Sequence, residues 1–274
     1  MNKAKPALWA AGMMLALSAV GAALPVAAPA AGVLPADPLR SPNWASLAKT
    51  FFDGGPVRFD PRVKVIFPPI AEDQRAFPVM IDARGIPHVK RILILADLNP
   101  IPMAIDYHIA AAEPVIATRI KLDQRTPVRG AVQLADGSWL VGGNWIDAAG
   151  GGCSAPPVSR VKGDWAQHLG EMRGQAWPVA GGGARVRLNF RHPMDTGYVA
   201  NIATYYIETV SLTGPGGRLY GQIDMQAAVS EDPSLTIVAK AAPGDVVTVA
   251  GRDTNGIDYR ARVPVAKMTP IPAR

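Results

Sequence analysis

Cysteine occurs once in the 274 residues, at position 153, and three glycines lead directly into it: Gly150, Gly151 and Gly152. A lone thiol forms no internal disulfide. A glycine run has no side chains to pack, so it predicts a thiol carried out on a mobile backbone. Such a thiol is a nucleophile, and its thiolate can hold a group covalently. No charge lies between Gly150 and Pro157, so nothing nearby in sequence lowers its pKa. An ordinary cysteine pKa of about 8.5 leaves roughly a few per cent thiolate at neutral pH, enough for slow exchange. Arg160 and Lys162 are the nearest cations and suit an anionic cargo.

The other chemistry-bearing residues form no recognisable constellation. His88, His108, His168 and His192 are scattered, and none stands at metal-ligand spacing from another or from Cys153. Neither a nucleophile elbow nor a phosphate loop is present. His192 precedes a proline and reads as a structural corner, with a general base as the alternative. Asp97 and Asn99 precede Pro100 and read as a turn, with a carboxylate site as the alternative. Arg119-Ile120-Lys121 alternates charge with an apolar residue, as a half-exposed strand does; a docking edge for a partner is the alternative. Trp139, Trp145, Trp165 and Trp177 flank the cysteine in sequence as core or interface anchors, or as the roof of a groove.

Residues 1–30 read as an export signal. Lys3 and Lys5 give a basic start, 8–20 is apolar but shorter than the roughly 20 residues of a membrane span, and Ala28-Pro29-Ala30 is a small-x-small cleavage site. A periplasmic location follows, without stable membrane insertion once the signal is cleaved; an uncleaved anchor is the alternative. In that compartment an odd cysteine means intermolecular pairing or a reactive site. The formal charge is +6, two less without Lys3 and Lys5, and no basic run is interleaved with aromatics, so nucleic acid is a poor partner. Aromatics are 7% of the chain, so the core must come from Val, Ile, Leu and Ala. The 26 prolines and 27 glycines favour short strands and many turns over long helices.

Residues 42–52 have helical spacing, with Trp44, Leu47 and Phe51 on one face. Short β-type runs follow at 63–67, 77–81, 89–95, 103–107, 115–122, 128–134 and 138–146, separated by turn chemistry such as Arg84-Gly85 and Asp136-Gly137. A short helix is expected at 164–173, capped by Asp164 and ended by Gly174. Trp177-Pro178 and Gly181-Gly182-Gly183 read as linker. Further strands are expected at 185–190, 205–212, 218–224, 234–239, 246–250 and 257–263. The fold class is therefore all-β: two immunoglobulin-like β-sandwich domains in tandem, joined by a linker with a short helix. The expected bounds are 40–153 for the first sandwich, 154–183 for the linker and 184–274 for the second.

Several stretches resemble a known family. Pro68-Pro69-Ile70-Ala71-Glu72-Asp73, Ala96-Asp97-Leu98-Asn99-Pro100-Ile101-Pro102, Ala117-Thr118-Arg119-Ile120-Lys121-Leu122 and Val132-Gln133-Leu134-Ala135-Asp136-Gly137 resemble SoxY, the sulfur-carrier subunit of periplasmic thiosulfate oxidation. Arg191-His192-Pro193-Met194-Asp195-Thr196-Gly197, Tyr205-Tyr206-Ile207, Ala228-Val229-Ser230-Glu231-Asp232-Pro233 and Asp253-Thr254-Asn255-Gly256 resemble its partner, SoxZ. The whole resembles a fused SoxYZ-like carrier of the quinoprotein dehydrogenase-associated type. The resemblance implies that Cys153 is the point of covalent cargo attachment and that Gly150, Gly151 and Gly152 form a swinging arm. It implies no catalytic residue, cofactor or metal, and partners that are periplasmic redox enzymes or cytochromes, a PQQ-dependent dehydrogenase among them. One departure stands out. SoxY ends at its cysteine motif, whereas here Ser154-Ala155-Pro156-Pro157 and a second domain follow, so the arm is tethered at both ends. At roughly 3.3 Å per extended residue, three glycines reach only about 10 Å.

Two functional readings follow, with a thiol enzyme, for which the sequence offers no local His or acid partner, as a third. The first is a non-enzymatic carrier holding a sulfur-type or other thiol-reactive intermediate on Cys153. The alternative is an accessory binding module for a periplasmic quinoprotein dehydrogenase, with no covalent cargo.

Overall fold

The computed structural model describes Met1 and residues 33–267. The expected signal at 1–30 lies outside these residues apart from Met1. Among the described residues, no helix is long and apolar enough to cross a membrane.

The first half opens with helix α1 (Trp44–Phe51). Strands β1 (Val57–Phe59), β2 (Lys64–Ile66), β3 (Phe77–Asp82), β4 (Val89–Ala96), β5 (Met103–Ile109), β6 (Ala112–Ile120), β7 (Thr126–Leu134) and β8 (Trp139–Ile146) follow. A connector carries helix α2 (Val158–Lys162) and a 3-10 turn at Trp165–His168. The second half holds β9 (Met172–Pro178), β10 (Ala184–Phe190), β11 (Ile207–Thr213), β12 (Leu219–Met225), β13 (Ser234–Ala239), β14 (Val246–Asp253) and β15 (Asp258–Pro264).

Alternation decides which way each strand faces. In β10, Ala184, Val186, Leu188 and Phe190 are buried while Arg185, Arg187 and Asn189 are exposed, the period of two that a half-buried strand requires. The last five residues of β4 are buried without a break. Its inner face meets the sandwich core, and its outer face is covered by α1, whose Trp44 and Ala48 pack with Phe52, Leu93, Leu95 and Trp139. An ion-paired arginine anchors this layer. Arg129 is fully buried, bonds Asp97 (2.9 and 3.0 Å) and Asp37 (2.6 and 2.9 Å), and lies 4.8 Å from the Trp44 ring. Asp97 is thus a buried ion-pair partner as well as part of a turn.

The linker expectation needs correction. Trp177 and Pro178 end strand β9, which pairs with β10, and Gly181, Gly182 and Gly183 form the hairpin between them. All three glycines have positive φ, so turn geometry and not flexibility explains the run. The connector is therefore 154–171. The helix expected at 164–173 is replaced by α2, ended by Gly163 in the left-handed region, and the 3-10 turn. Asp164 makes no side-chain cap.

The two sandwiches are not beads on a string. Five first-half and four second-half strands form one nine-stranded sheet, β1-β8-β7-β4-β5-β12-β11-β14-β15. Three from each half form a six-stranded sheet, β2-β3-β6-β13-β10-β9. Both sheets run through a seam, antiparallel β5 to β12 (Tyr107 opposite Ile223) and β6 to β13 (Ile116 opposite Ile237). One hydrophobic core crosses it, including Ile105, Tyr107, Ile116, Ile223 and Ile237. Pairing of this kind removes two exposed sheet edges from each half.

Lys121, just past β6, locks the seam. It is buried, and its Nζ donates to the carbonyls of Met194 (2.7 Å), Ala227 (2.7 Å) and Val229 (2.8 Å), all in the second half. Truncating one partner of a buried charged network strands the others without water. Lys121→Ala is expected to cost about 3–5 kcal/mol, read as a lower midpoint in denaturant unfolding. The exposed Lys90→Ala, as a control, should cost under about 0.5 kcal/mol.

Candidate functional site

The glycine-cysteine segment lies against this seam rather than projecting from it. Cys153 is 1% exposed, so the expectation of a thiol held out in solvent is overturned. The reason is that the glycines serve close packing. Gly150 and Gly151 have φ of +95° and +80°. A Cβ on Gly152 would lie 2.3 Å from the Gln74 carbonyl and 2.5 Å from that of Leu122. Only glycine lets the backbone approach this closely.

Polar contacts fix the segment from both halves. The Gly152 amide donates to the Leu122 carbonyl (3.0 Å), the Cys153 amide to Asp123 Oδ1 (3.1 Å) and Gln74 Nε2 to the Gly150 carbonyl (3.1 Å). The Ala155 amide closes a turn onto the Gly151 carbonyl (2.9 Å). From the second half, Thr196 Oγ1 donates to the Cys153 carbonyl. Asn99 supports this cradle by donating to the Lys121 carbonyl (2.7 Å) and accepting from the Asp123 amide (2.9 Å).

Beyond the cysteine the chain forms a strap over the second half. The Glu231 carboxylate accepts from the Val158 and Ser159 amides (2.6 and 2.7 Å) at the start of α2. Arg160 ion-pairs with the buried Asp195, and its guanidinium stacks 3.6 Å from the Trp165 ring. Pro156 and Pro157 stiffen the link between cysteine and strap. A pocket of about 230 Å³ opens between strap and cradle, bounded by Gly152, Pro156 and Pro157. Lys121, Arg75, Lys162 and Arg191 bring positive charge to it; Asp73, Asp164, Glu231 and Asp232 bring negative.

Burial and the neighbouring Asp123 push the Cys153 thiol up to about 12, against the opposing pull of Lys121. The resting group is a protonated, sheathed thiol. Burial likewise lowers Lys121 to about 8, while Cys153, Asp195 and Glu231 favour its charge. Arg160 reaches the strap's ion pair, and Lys162 the pocket wall.

His192 is a buried corner and does not line the pocket beside the strap. Its Nδ1 accepts from the Met194 amide (2.9 Å), so Nε2 carries the proton and faces Asp253 Oδ2 at 3.6 Å. Its ring lies 4.4 Å from that of Tyr205, and burial pushes its pKa down to about 4. The four tryptophans do not gather over the thiol: Trp139 is buried beneath α1, Trp145 lies 4.2 Å from Arg125, and Trp177 is exposed on β9. Only Trp165 reaches the strap. Among the described residues, one group has metal-ligand composition, Asp106, His108 and Asp224 on the β5–β12 seam. Arg91 already takes both Asp106 oxygens at 2.7 Å.

The residues that hold Cys153, namely Gln74, Asn99, Lys121, Asp123, Thr196 and Glu231, carry no signal by spacing. Four of them lie inside stretches that resemble SoxY or SoxZ: Asn99, Lys121, Thr196 and Glu231. Those stretches converge on the cysteine in space.

Comparison with known families agrees with this division of the chain. The family model described as "Sulfur oxidation protein SoxY" matches residues 48–153, and that described as "Sulphur oxidation protein SoxZ" matches 172–264. Among solved structures, the sulfur carrier protein SoxY from Chlorobium limicola f thiosulfatophilum is 22% identical, covering 38% of this chain and 91% of its own, with a TM-score of 0.33. A Bacteroides ovatus protein of a mixed-linkage glucan utilization locus, SGBP-B, solved with a mixed-linkage heptasaccharide, is 14% identical. It covers 76% of this chain and 46% of its own, with a TM-score of 0.19. No curated protein matches significantly.

Two outcomes follow from the site. A sheathed thiol near pKa 12 should alkylate with iodoacetamide at pH 8 at least about 100-fold more slowly than the urea-unfolded chain. Gly152→Ala, which forces the cradle open, should recover much of that loss; equal rates for native and unfolded protein would contradict the sheath. His192 binds its proton in the unfolded chain near 6.5 but in the folded chain only near 4. Stability should therefore fall as pH drops from 6.5 to 4, by about 3 kcal/mol from this group. His192→Asn, which can still accept from the Met194 amide, should flatten that limb in thermal melts.

Proposed function

The chain belongs to the SoxYZ family as a fused SoxYZ-like protein, its SoxY and SoxZ domains in tandem, and from that premise we propose that it is a periplasmic covalent carrier with Cys153 as the attachment point. Proteins of this family are carriers or accessory partners of other proteins in sulfur oxidation rather than enzymes. The observation that carries the reading is the placement of the single cysteine: at the end of the SoxY domain, on the seam with the SoxZ domain, cradled by residues of both.

The chemistry asked of Cys153 is formation of a sulfur–sulfur bond to a reduced sulfur group. The thiol and the incoming sulfhydryl-type group each lose a proton, and two electrons leave to a redox partner of the enzyme or cytochrome class. Release is by exchange: a thiolate of a second partner attacks the cargo sulfur, takes the cargo into a new sulfur–sulfur bond, and leaves Cys153 as the thiolate, which regains its proton from water. None of these steps is available to a thiol that is 1% exposed. Loading therefore requires the strap to lift. Glu231 and Asp195 are the two carboxylates that hold it down. Once the strap lifts, water and partner cations lower the thiol's pKa toward its ordinary range. Lys121 stays in place to favour the thiolate and an anionic cargo. The tether after the cysteine limits travel, so partners must come to the seam. A PQQ-dependent dehydrogenase is one such partner within this reading.

Two measurements test the proposal. Intact-mass analysis of the protein from its native periplasm should show a sulfur-containing adduct that disappears with reductant and is absent in Cys153→Ser. An unmodified thiol, with a Cys153→Ser strain that oxidises sulfur normally, would sink the carrier role. Separately, Glu231→Ala removes both latch hydrogen bonds and should speed native thiol labelling by roughly tenfold or more, the equivalent of about 1.4 kcal/mol of lost closure. Unchanged labelling would show that the strap is not the gate.

A further inference from the structure

The seam carries a second built surface, on the outer face of the six-stranded sheet and independent of Cys153. A trough of about 820 Å³ runs over the β6–β13 pairing, with a floor of small side chains. Ala117 and Thr236 face each other there across the seam. One rim, from the first half, carries Arg84 and Arg119; the other, from the second half, carries Arg185, Arg187 and Trp177. No carboxylate lines the trough. Arg84 is paired with Asp82. Arg119, Arg185 and Arg187 are exposed and take part in no ion pair among the described residues.

This arrangement costs the isolated protein something. Arg185 and Arg187 alternate outward on one strand, so like charges sit about 7 Å apart with no counter-ion from the chain itself. Elsewhere the protein pairs many of its surface arginines, as in Arg62–Asp60, Arg75–Asp73 and Arg260–Asp258. Leaving three unpaired around one concavity is the pattern of a surface whose counter-charges arrive on a partner. Exposed tryptophan beside arginine is also the composition of an interface anchor, and Trp177 is 41% exposed.

The shape narrows the occupant. β6 and β10 flank β13, so Arg119 on one side and Arg185 and Arg187 on the other stand about two strand spacings, roughly 10 Å, apart, and the lining continues outward to Pro78 on β3 and Trp177 on β9. That width admits one extended strand or one helix, whose diameter with side chains is about 10–12 Å. A bilayer is flat at this scale and would touch the rims without filling the floor. We propose that this trough docks a carboxylate-rich segment of a partner protein. Because both halves supply a rim, the site exists only when the seam is closed.

The test uses the full exported chain and a short fluorescein-labelled glutamate-rich peptide, followed by fluorescence anisotropy. Binding should be measurable at low salt and weaken as salt rises to about 0.15 M. Arg185→Glu with Arg187→Glu should weaken it by at least roughly tenfold, and Arg119→Gln by a smaller factor. Lys90→Glu with Arg262→Glu, an equal change of charge on the nine-stranded sheet, should change it less than about twofold. Thermal melts check that each variant is folded. Absence of peptide binding, equal loss in both double variants, or binding to phosphatidylglycerol vesicles without binding to the peptide would each overturn the proposal. Its failure would leave the Cys153 reading untouched, since none of these variants alters the cradle or the strap.

Discussion

A buried ammonium group can persist only where fixed acceptors replace its water. Lys121 meets that condition with three carbonyls at 2.7–2.8 Å, none of them from its own half of the chain. The second half must therefore arrive with 194, 227 and 229 correctly placed, or the charge is stranded. Two continuous sheets and a single core satisfy the same requirement on a larger scale. The pairing of β5 with β12 and β6 with β13 makes the protein one body with two domain ancestries. The thiol cradle, the pocket beside the strap and the arginine trough all draw residues from both sides of that line.

The sheath around Cys153 follows from the same constraint. Lys121 lies one residue from Leu122, whose amide bonds Gln74 and whose carbonyl receives the Gly152 amide. Asp123, next along, receives the Cys153 amide. The segment that locks the seam is thus the segment that holds the cysteine loop. Opening the loop need not disturb the lock, because the strap's own anchors, Glu231 and Asp195, lie on the second half and contact the connector instead. On the proposed carrier role, a gate separable from the fold would let the protein load and unload repeatedly without unfolding.

Much of the fold was legible in the sequence, and the omissions have physical causes. Proline and glycine punctuation marked most strands within a few residues, and 234–239 coincided with β13. β1 is three residues long and pairs in parallel with β8, leaving too little pattern to detect. β9 contains Gly174 and ends in Trp177-Pro178 beside a glycine run, so its composition imitates a linker. Gly174 is there because a Cβ would meet Val263 at 2.3 Å. The seam had no local signature, since Ile105 and Ile116 look the same whether their strand is an edge or an interior one. At the site, the cysteine and its glycines were visible, but glycine is selected both by mobility and by close approach. Only the carbonyls packed over Gly152 distinguish the two.

The central claim is that the seam, and not the covalent connector, holds the halves together. Placing a specific protease site after Gly163, an exposed residue with nothing within 4 Å of its would-be Cβ, allows the connector to be cut in the folded protein. Native mass spectrometry of the cut protein at micromolar concentration then gives a direct answer. A single particle containing one copy of each half is the expected result. Two separate halves would contradict the account.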